Sequence, residues 1–295
     1  MIIMNKEVKL ITEGVKEVTA TTYINSYKRI RQALGITDKR KLVKSVGLDK
    51  VAEVLLDTKL NANARMGMHT IAKKIFFTDK DKEQIDKIDE QIRKHRRALQ
   101  VKNNKELKKE LPSYKELVSA LKKVEDARTY IINYIFVYIN ARNADLGLLI
   151  IHRSDDDNHI DIDSLDKNHN HLVLKDGKAT LRRNFYKTIK TYGAKTNKII
   201  SRQFIAKVTE FLGNETEKLL LSTKTGGVVS TASYGAYLKK HRLLGLTEAQ
   251  IMKINMREVA DKGSYNLLRK ISYNRGTSIS GMLQDYDITN IKDIK

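Results

Sequence analysis

The chain has no cysteine, a single proline and no long apolar run. Without cysteine there is no disulfide, no thiol nucleophile and no thiolate zinc site, which fits a reducing compartment. The opening MIIMNKEVK is too short an apolar run for a secretion signal. The longest apolar stretch, Tyr130 to Ile139, is too short to span a bilayer and reads as a core helix. No Walker-type loop and no G-x-G-x-x-G appears, so no nucleotide cofactor is implied. Acids are also in short supply: 35 Asp and Glu face 56 Lys and Arg, for a formal net charge of +21 and a pI near 9.8. Such an excess favours a polyanion, because each neutralised phosphate releases a counterion. A basic amphipathic terminal helix or a lipidation signal would favour a membrane surface, and neither is evident. The expectation is an intracellular protein with a nucleic-acid partner.

With 295 residues the chain is long enough for one large or two modest domains. The first hundred or so residues read as helix. Thr21 or Thr22 is a candidate cap for a helix with Tyr23, Tyr27, Ile30 and Leu34 on its apolar face, closed by Gly35. A second segment runs from Asp38 through Val46 and continues past Gly47 with Val51, Val54 and Leu55. Asn61 to Phe77 forms a third, and a charged helix from Asp79 carries a seam of Ile85, Ile88, Ile92 and Leu99. The lysine-rich NNKELKKEL (103–111) before Pro112 reads as a boundary, giving domains at 1–111 and 112–295. From Ser113 one long helix is expected to about Ile139. Beyond it lies a small antiparallel sheet of about three strands: the alternation at 159–163, the run 171–175, the Asp176-Gly177 turn and the strand 179–186. A strand at 198–201 follows a basic loop, and helix resumes from about Gln203. The expected fold class is therefore mainly α with a small antiparallel β-sheet. The acids Asp155, Asp156, Asp157, Asp161 and Asp163 with His159, His169 and His171 lack the Gly and Glu of a calcium loop and read as a solvated hairpin end, not a metal site.

Two segments carry chemistry. INARNADLGLLI places Arg142 three residues before an acid at the end of an apolar helix, and RGTSISGMLQDYDI places Tyr286 close to the last residue. Phosphodiester transesterification needs an oxygen nucleophile, cations against the developing phosphorane charge and a proton donor for the leaving oxygen. Arginine suits the second task because its fork binds two phosphate oxygens and stays charged. Lysine suits the third when neighbouring positive charge lowers its pKa.

These segments resemble those of the tyrosine recombinase (phage integrase-like) superfamily of DNA breaking-rejoining enzymes. Ala141-Arg142-Asn143-Ala144-Asp145-Leu146 is similar to its first arginine motif, with Asp in place of Glu. The run Arg275 to Tyr286 matches its last box without a gap, putting Tyr286 at the nucleophile and Thr277 at the box histidine. Met256-Arg257 is similar to the Leu-Arg step of its second arginine motif, with Ile254 in the place of histidine. The resemblance implies catalytic roles for Arg142, Arg257, Thr277 and Tyr286, with Lys253 and Arg275 as further candidates. It implies a lysine on a β-hairpin between the arginines: Lys187 is the choice, Lys190 and Lys195 the alternatives. Arg65, Lys73 and Lys74 on the third helix, with Lys190 and Lys195, are candidate DNA contacts. The implied fold is a helical SAM-like core-binding domain followed by a mixed catalytic domain. The implied activity is site-specific recombination or integration through a 3′-phosphotyrosyl intermediate, without metal or cofactor, by a dimer or tetramer on double-stranded DNA. A type IB-like topoisomerase and a catalytically silent DNA-binding relative are the alternatives.

Overall fold

The computed structural model describes residues 6–286 apart from 39, 77–80, 154–161, 163–164, 167–168, 224–225 and 231–232. The chain forms two compact units, Met1–Glu106 and Leu107–Lys295. It is mainly helical with a small sheet.

The first unit contains α1 (Lys6–Thr12), α2 (Glu17–Ala33), a 3-10 turn at Lys44–Val46, α3 (Leu48–Leu56), α4 (Ala62–Ile75) and the greater part of α5 (Lys82–Glu110). Apolar residues at helical spacing close one core: Ile30 from α2, Val51 and Leu55 from α3, Met68, Ile71 and Ile75 from α4, and Ile85, Ile88 and Ile92 from α5. Leu99, expected on the same seam, is exposed. Glu7 of α1 ties the unit together from inside. Its buried carboxylate accepts from the Tyr27 hydroxyl at 2.6 Å and from the backbone N–H of Val43 and Lys44 at 2.8 and 2.7 Å. Burial first, and the Glu7 hydrogen bond second, push the Tyr27 phenol up to about 12.

Two expectations for this region change. The helix α2 starts at Glu17 and not at a threonine cap; Thr21 lies inside it, its hydroxyl turned back onto the Glu17 carbonyl at 3.1 Å. The polar 103–110 run is the last part of α5, because Lys, Glu and Leu all favour helix and only Pro112 stops it.

In the second unit a reciprocal box between Ser113 and Glu116 starts α6 (Tyr114–Lys122). The single long helix expected here is broken, because Asp126 caps a new one, α7 (Ala127–Tyr134), by accepting from Thr129 N–H at 2.8 Å. A π-helical turn, Ile135–Ile139, continues α7 and ends at Asn140 in the left-handed conformation, φ 56°. A 3-10 turn at Asn143–Leu146 leads into β1 (Leu148–His152). Next come β2 (Asn170–Lys175), β3 (Lys178–Arg183), the short α8 (Ile189–Tyr192) and β4 (Lys195–Ile199), followed by α9 (Arg202–Leu212) and β5 (Glu217–Leu219). Asp176 and Gly177, both at positive φ, turn β2 into β3.

The sheet order is β4-β3-β2-β1-β5. Where an all-antiparallel sheet is expected, β1 and β2 pair in parallel, so the sheet is mixed. The alternating segment 159–163 lies outside the described residues except for Ile162. The core joins Ile131 and Ile135 to sheet residues Ile150, Leu172 and Leu181 and to Phe204 and Val208 of α9.

The described residues end with α10 (Tyr234–Leu238), α11 (Glu248–Lys262), α12 (Tyr265–Arg275) and α13 (Ile279–Tyr286). Met252, Met256, Val259, Leu268, Ile271 and Met282 pack these last three helices on each other. Asn255 links α11 to the π-turn: its buried amide donates to the Val137 carbonyl at 3.0 Å and to the Asn140 side chain at 2.6 Å. Among the described residues no helix is long and apolar enough to cross a membrane.

Replacing Asn255 by Ala leaves the Val137 carbonyl and the Asn140 amide oxygen without this donor in the interior. The expected loss is about 1–3 kcal/mol of stability, read as a lower urea midpoint without a change in slope.

Candidate functional site

Arg142 caps the start of the 3-10 turn Asn143–Leu146, two residues after the left-handed Asn140, half-buried and with extended backbone. Its guanidinium donates to the Thr277 hydroxyl at 2.8 Å, across 135 residues of sequence. The two motif segments therefore meet. Thr277 is held from its own side: its N–H donates to Ser272 O at 3.2 Å, and Ser272 Oγ donates to Thr277 O at 2.5 Å. Gly276 before it sits at φ 61° against the segment between β3 and α8, where Thr188 Oγ1 donates to Gly276 O at 2.7 Å. A Cβ at Gly276 would lie 2.6 Å from Thr188 Oγ1 and 2.8 Å from the Tyr186 ring, so only glycine fits.

Asp145, 1 % exposed, anchors Arg142 from behind. Its Oδ2 accepts the Arg142 backbone N–H at 3.1 Å and pairs with Arg183 Nη1 at 3.2 Å. Burial pushes the Asp145 carboxyl up, against the pull of Arg183. Arg183 is fully buried at the end of β3 and also donates to the Asn197 side chain at 3.1 Å. Its neighbour in the β3–β4 register is Lys195. Lys195 is fully enclosed: its Nζ donates to the Tyr273 carbonyl and lies 4.2, 5.2 and 5.7 Å from the ring centres of Tyr273, Tyr192 and Tyr186. Burial first, then the charges of Arg183 and Arg142, lower its pKa to about 8. Three cations against one acid make a cluster suited to an anion.

The other sequence-derived candidates fall differently. Lys187 and Lys190 are exposed, in the segment after β3 and in α8. Arg257 on α11 donates to the carbonyls of Leu111 and Pro112. Lys253, one turn earlier, is half-buried, and burial lowers its pKa; Ile254 beside it is a core residue. Arg275 pairs with Glu248 at 2.6 Å and approaches the Asn140 carbonyl at 3.5 Å, so it braces the turn before Arg142. Tyr286 is the last residue of α13; its side chain lies outside the described residues.

On α4, Lys73 is exposed, and Lys74 lies over the Tyr23 ring at 5.2 Å. Arg65, expected as a DNA contact, is 1 % exposed with its guanidinium against His95. Its spacing to Met68 and Ala72 puts it on the inward face of α4, closed off from any phosphate. Sequence reasoning missed Arg183, although period-two alternation with Ala179 and Leu181 places it on the buried face of β3. Among the described residues no group of three or more His, Cys, Asp or Glu is arranged to hold a metal ion.

The substitution Gly276→Ala forces Thr277 away from Arg142 and is expected to cost about 1–3 kcal/mol, checked by thermal melting and by the loss of the Arg142–Thr277 bond in a crystal structure. The depressed pKa of Lys195 means that the unfolded chain binds its proton more tightly than the folded one. Stability from this residue therefore rises with pH between about 8 and the ordinary lysine value, and the burden is greatest below 8. Lys195→Met is accordingly expected to stabilise the fold more at pH 7 than at pH 10, measured by urea denaturation at both.

No protein-family model matches the sequence, and no curated protein matches it. Among solved structures, a XerA recombinase matches over 97 % of this chain and 95 % of its own, at 11 % identity and a TM-score of 0.36. That likeness is too slight to carry the fold or the activity.

Proposed function

We propose that the chain is a DNA strand transferase that cuts and rejoins DNA through a phosphotyrosyl link, with site-specific recombination as its activity. The hydrogen bond from Arg142 to Thr277 carries this reading, because it unites the first arginine motif with the tyrosine-bearing box inside a basic cluster. Arg142 and Thr277 would bind the non-bridging oxygens of the scissile phosphate and oppose its growing charge. Tyr286 would attack phosphorus through its hydroxyl oxygen, and the bond to the 5′-oxygen would break. That oxygen would take a proton from a lysine. Lys195 is the better donor once its Nζ leaves the Tyr273 carbonyl and turns out of its enclosure: a pKa of about 8 leaves it protonated at neutral pH yet readier to give the proton up than an ordinary lysine. Lys187 and Lys190 are both exposed and lie outside the Arg142–Arg183–Lys195 cluster. Arg257 would join by exchanging the Leu111 and Pro112 carbonyls for phosphate oxygens. The duplex itself would be held mainly through its backbone, which the charge of +21 favours. Recombination between two duplexes would need several copies of the chain.

Incubation with nicked suicide DNA tests the reading. Wild-type protein is expected to form a covalent protein–DNA adduct and Tyr286→Phe none; an adduct persisting in that variant, or absent from the wild type, overturns it. Lys195→Ala is expected to slow adduct formation by about 10²-fold or more and to recover on a substrate whose 5′-bridging oxygen is sulfur, a leaving group that needs no proton.

A further inference from the structure

The ion pair between Asp145 and Arg183 is a poor stabilising device. It is a single contact of 3.2 Å with no fork. Asp145 Oδ1 and Arg183 Nε are both buried and have no hydrogen-bond partner among the described residues. Replacing such a pair with packed apolar side chains is often neutral or stabilising. Its geometry serves a different end. The same Oδ2 that meets Arg183 accepts the Arg142 backbone N–H at 3.1 Å. Arg183 is fixed in turn by its bond to Asn197, and Asn197 donates to Asn274 of α12 at 2.8 Å. The Asp145 carbonyl accepts from Asn170 at the start of β2 at 3.0 Å. A continuous polar chain thus runs from α12 through β4 and β3 to the turn bearing Arg142, and Arg142 closes it onto Thr277 just beyond α12.

We propose that Arg183 is a positioning residue of the site: through Asp145 it fixes the backbone turn that presents the Arg142 guanidinium to Thr277. Arg183 has no exposed surface and its guanidinium is engaged by Asp145 and Asn197, so it acts through its neighbours. A lysine at 183 keeps the charge beside Asp145 and preserves part of the arrangement, while methionine keeps the bulk and removes the anchor.

The inference rests on the proposed function only for its catalytic readout, so the test has two arms. In the first, hydrogen exchange of the Arg142 backbone and side-chain N–H groups is followed by NMR without DNA. Arg183→Met is expected to accelerate it at least about tenfold, and Arg183→Lys to restore most of the protection. In the second, the rate of covalent adduct formation on nicked DNA is expected to fall about 10²-fold in Arg183→Met, the scale of a misplacement near 1 Å, with partial rescue by Arg183→Lys.

Because Arg183→Met leaves Asp145 buried and unpaired, the double variant Asp145→Leu with Arg183→Met supplies a folded control. It is expected to melt at or above the wild-type temperature and still lose both Arg142 protection and adduct rate. Wild-type exchange at Arg142 in that double variant overturns the inference. Normal loss of protection with no adduct from any protein, wild type included, leaves the positioning role standing and overturns the strand-transfer reading instead.

Discussion

One buried carboxylate oxygen organises the second unit. Asp145 Oδ2 receives a backbone N–H from the residue three positions earlier and a guanidinium from the end of β3. An unpaired carboxylate at this depth would carry a heavy desolvation penalty. Its two donors are therefore obliged to stay, and both bear on the basic cluster. The backbone donor belongs to Arg142. The guanidinium belongs to Arg183, whose β-ladder partner is Lys195.

From that point the electrostatics follow. Arg142, Arg183 and Lys195 bring more positive charge than Asp145 cancels, with Arg183 and Lys195 fully buried and Arg142 half-buried. Arginine tolerates this because its charge is delocalised and weakly hydrated; lysine yields, and its pKa drops toward neutrality. Aromatic rings serve as the walls. Tyr186, Tyr192 and Tyr273 offer their π-faces to the Lys195 ammonium and so lessen the cost of enclosing it. Order in the chain and order in space differ sharply here, since the rings come from the segment between β3 and α8, from α8 and from α12.

Much of the helical architecture is legible in the spacing of apolar residues, as with Ile85, Ile88 and Ile92 on α5 or Met68, Ile71 and Ile75 on α4. The failures have local causes. The helix expected from Ser113 to Ile139 is split because a capping side chain, Asp126, competes with continuation, and periodicity is blind to such competition. The parallel pairing of β1 with β2 leaves no local mark, because register between distant strands is set by the whole sheet. At the site, the contact of Arg142 with the last box follows from motif order, whereas the enclosure of Lys195 does not. A strand read at 198–201 begins at 195, and that offset turns a fully buried lysine into an apparent loop residue. Arg65 shows the opposite error: a basic residue assumed to face solvent occupies an inward helical position.

The bond between Arg142 and Thr277 has a bearing on how the molecule comes into being. Its ends are 135 residues apart, and Tyr273 from α12 packs over Lys195 of the same cluster. Contacts of such long range form late, after loop-closure entropy has been overcome. During synthesis the helices of the first unit have all they need to collapse while the basic cluster still lacks Tyr273 and Thr277. A nascent chain can therefore acquire the hydrophobic interior of its first unit well before the Arg142–Thr277 bond can form.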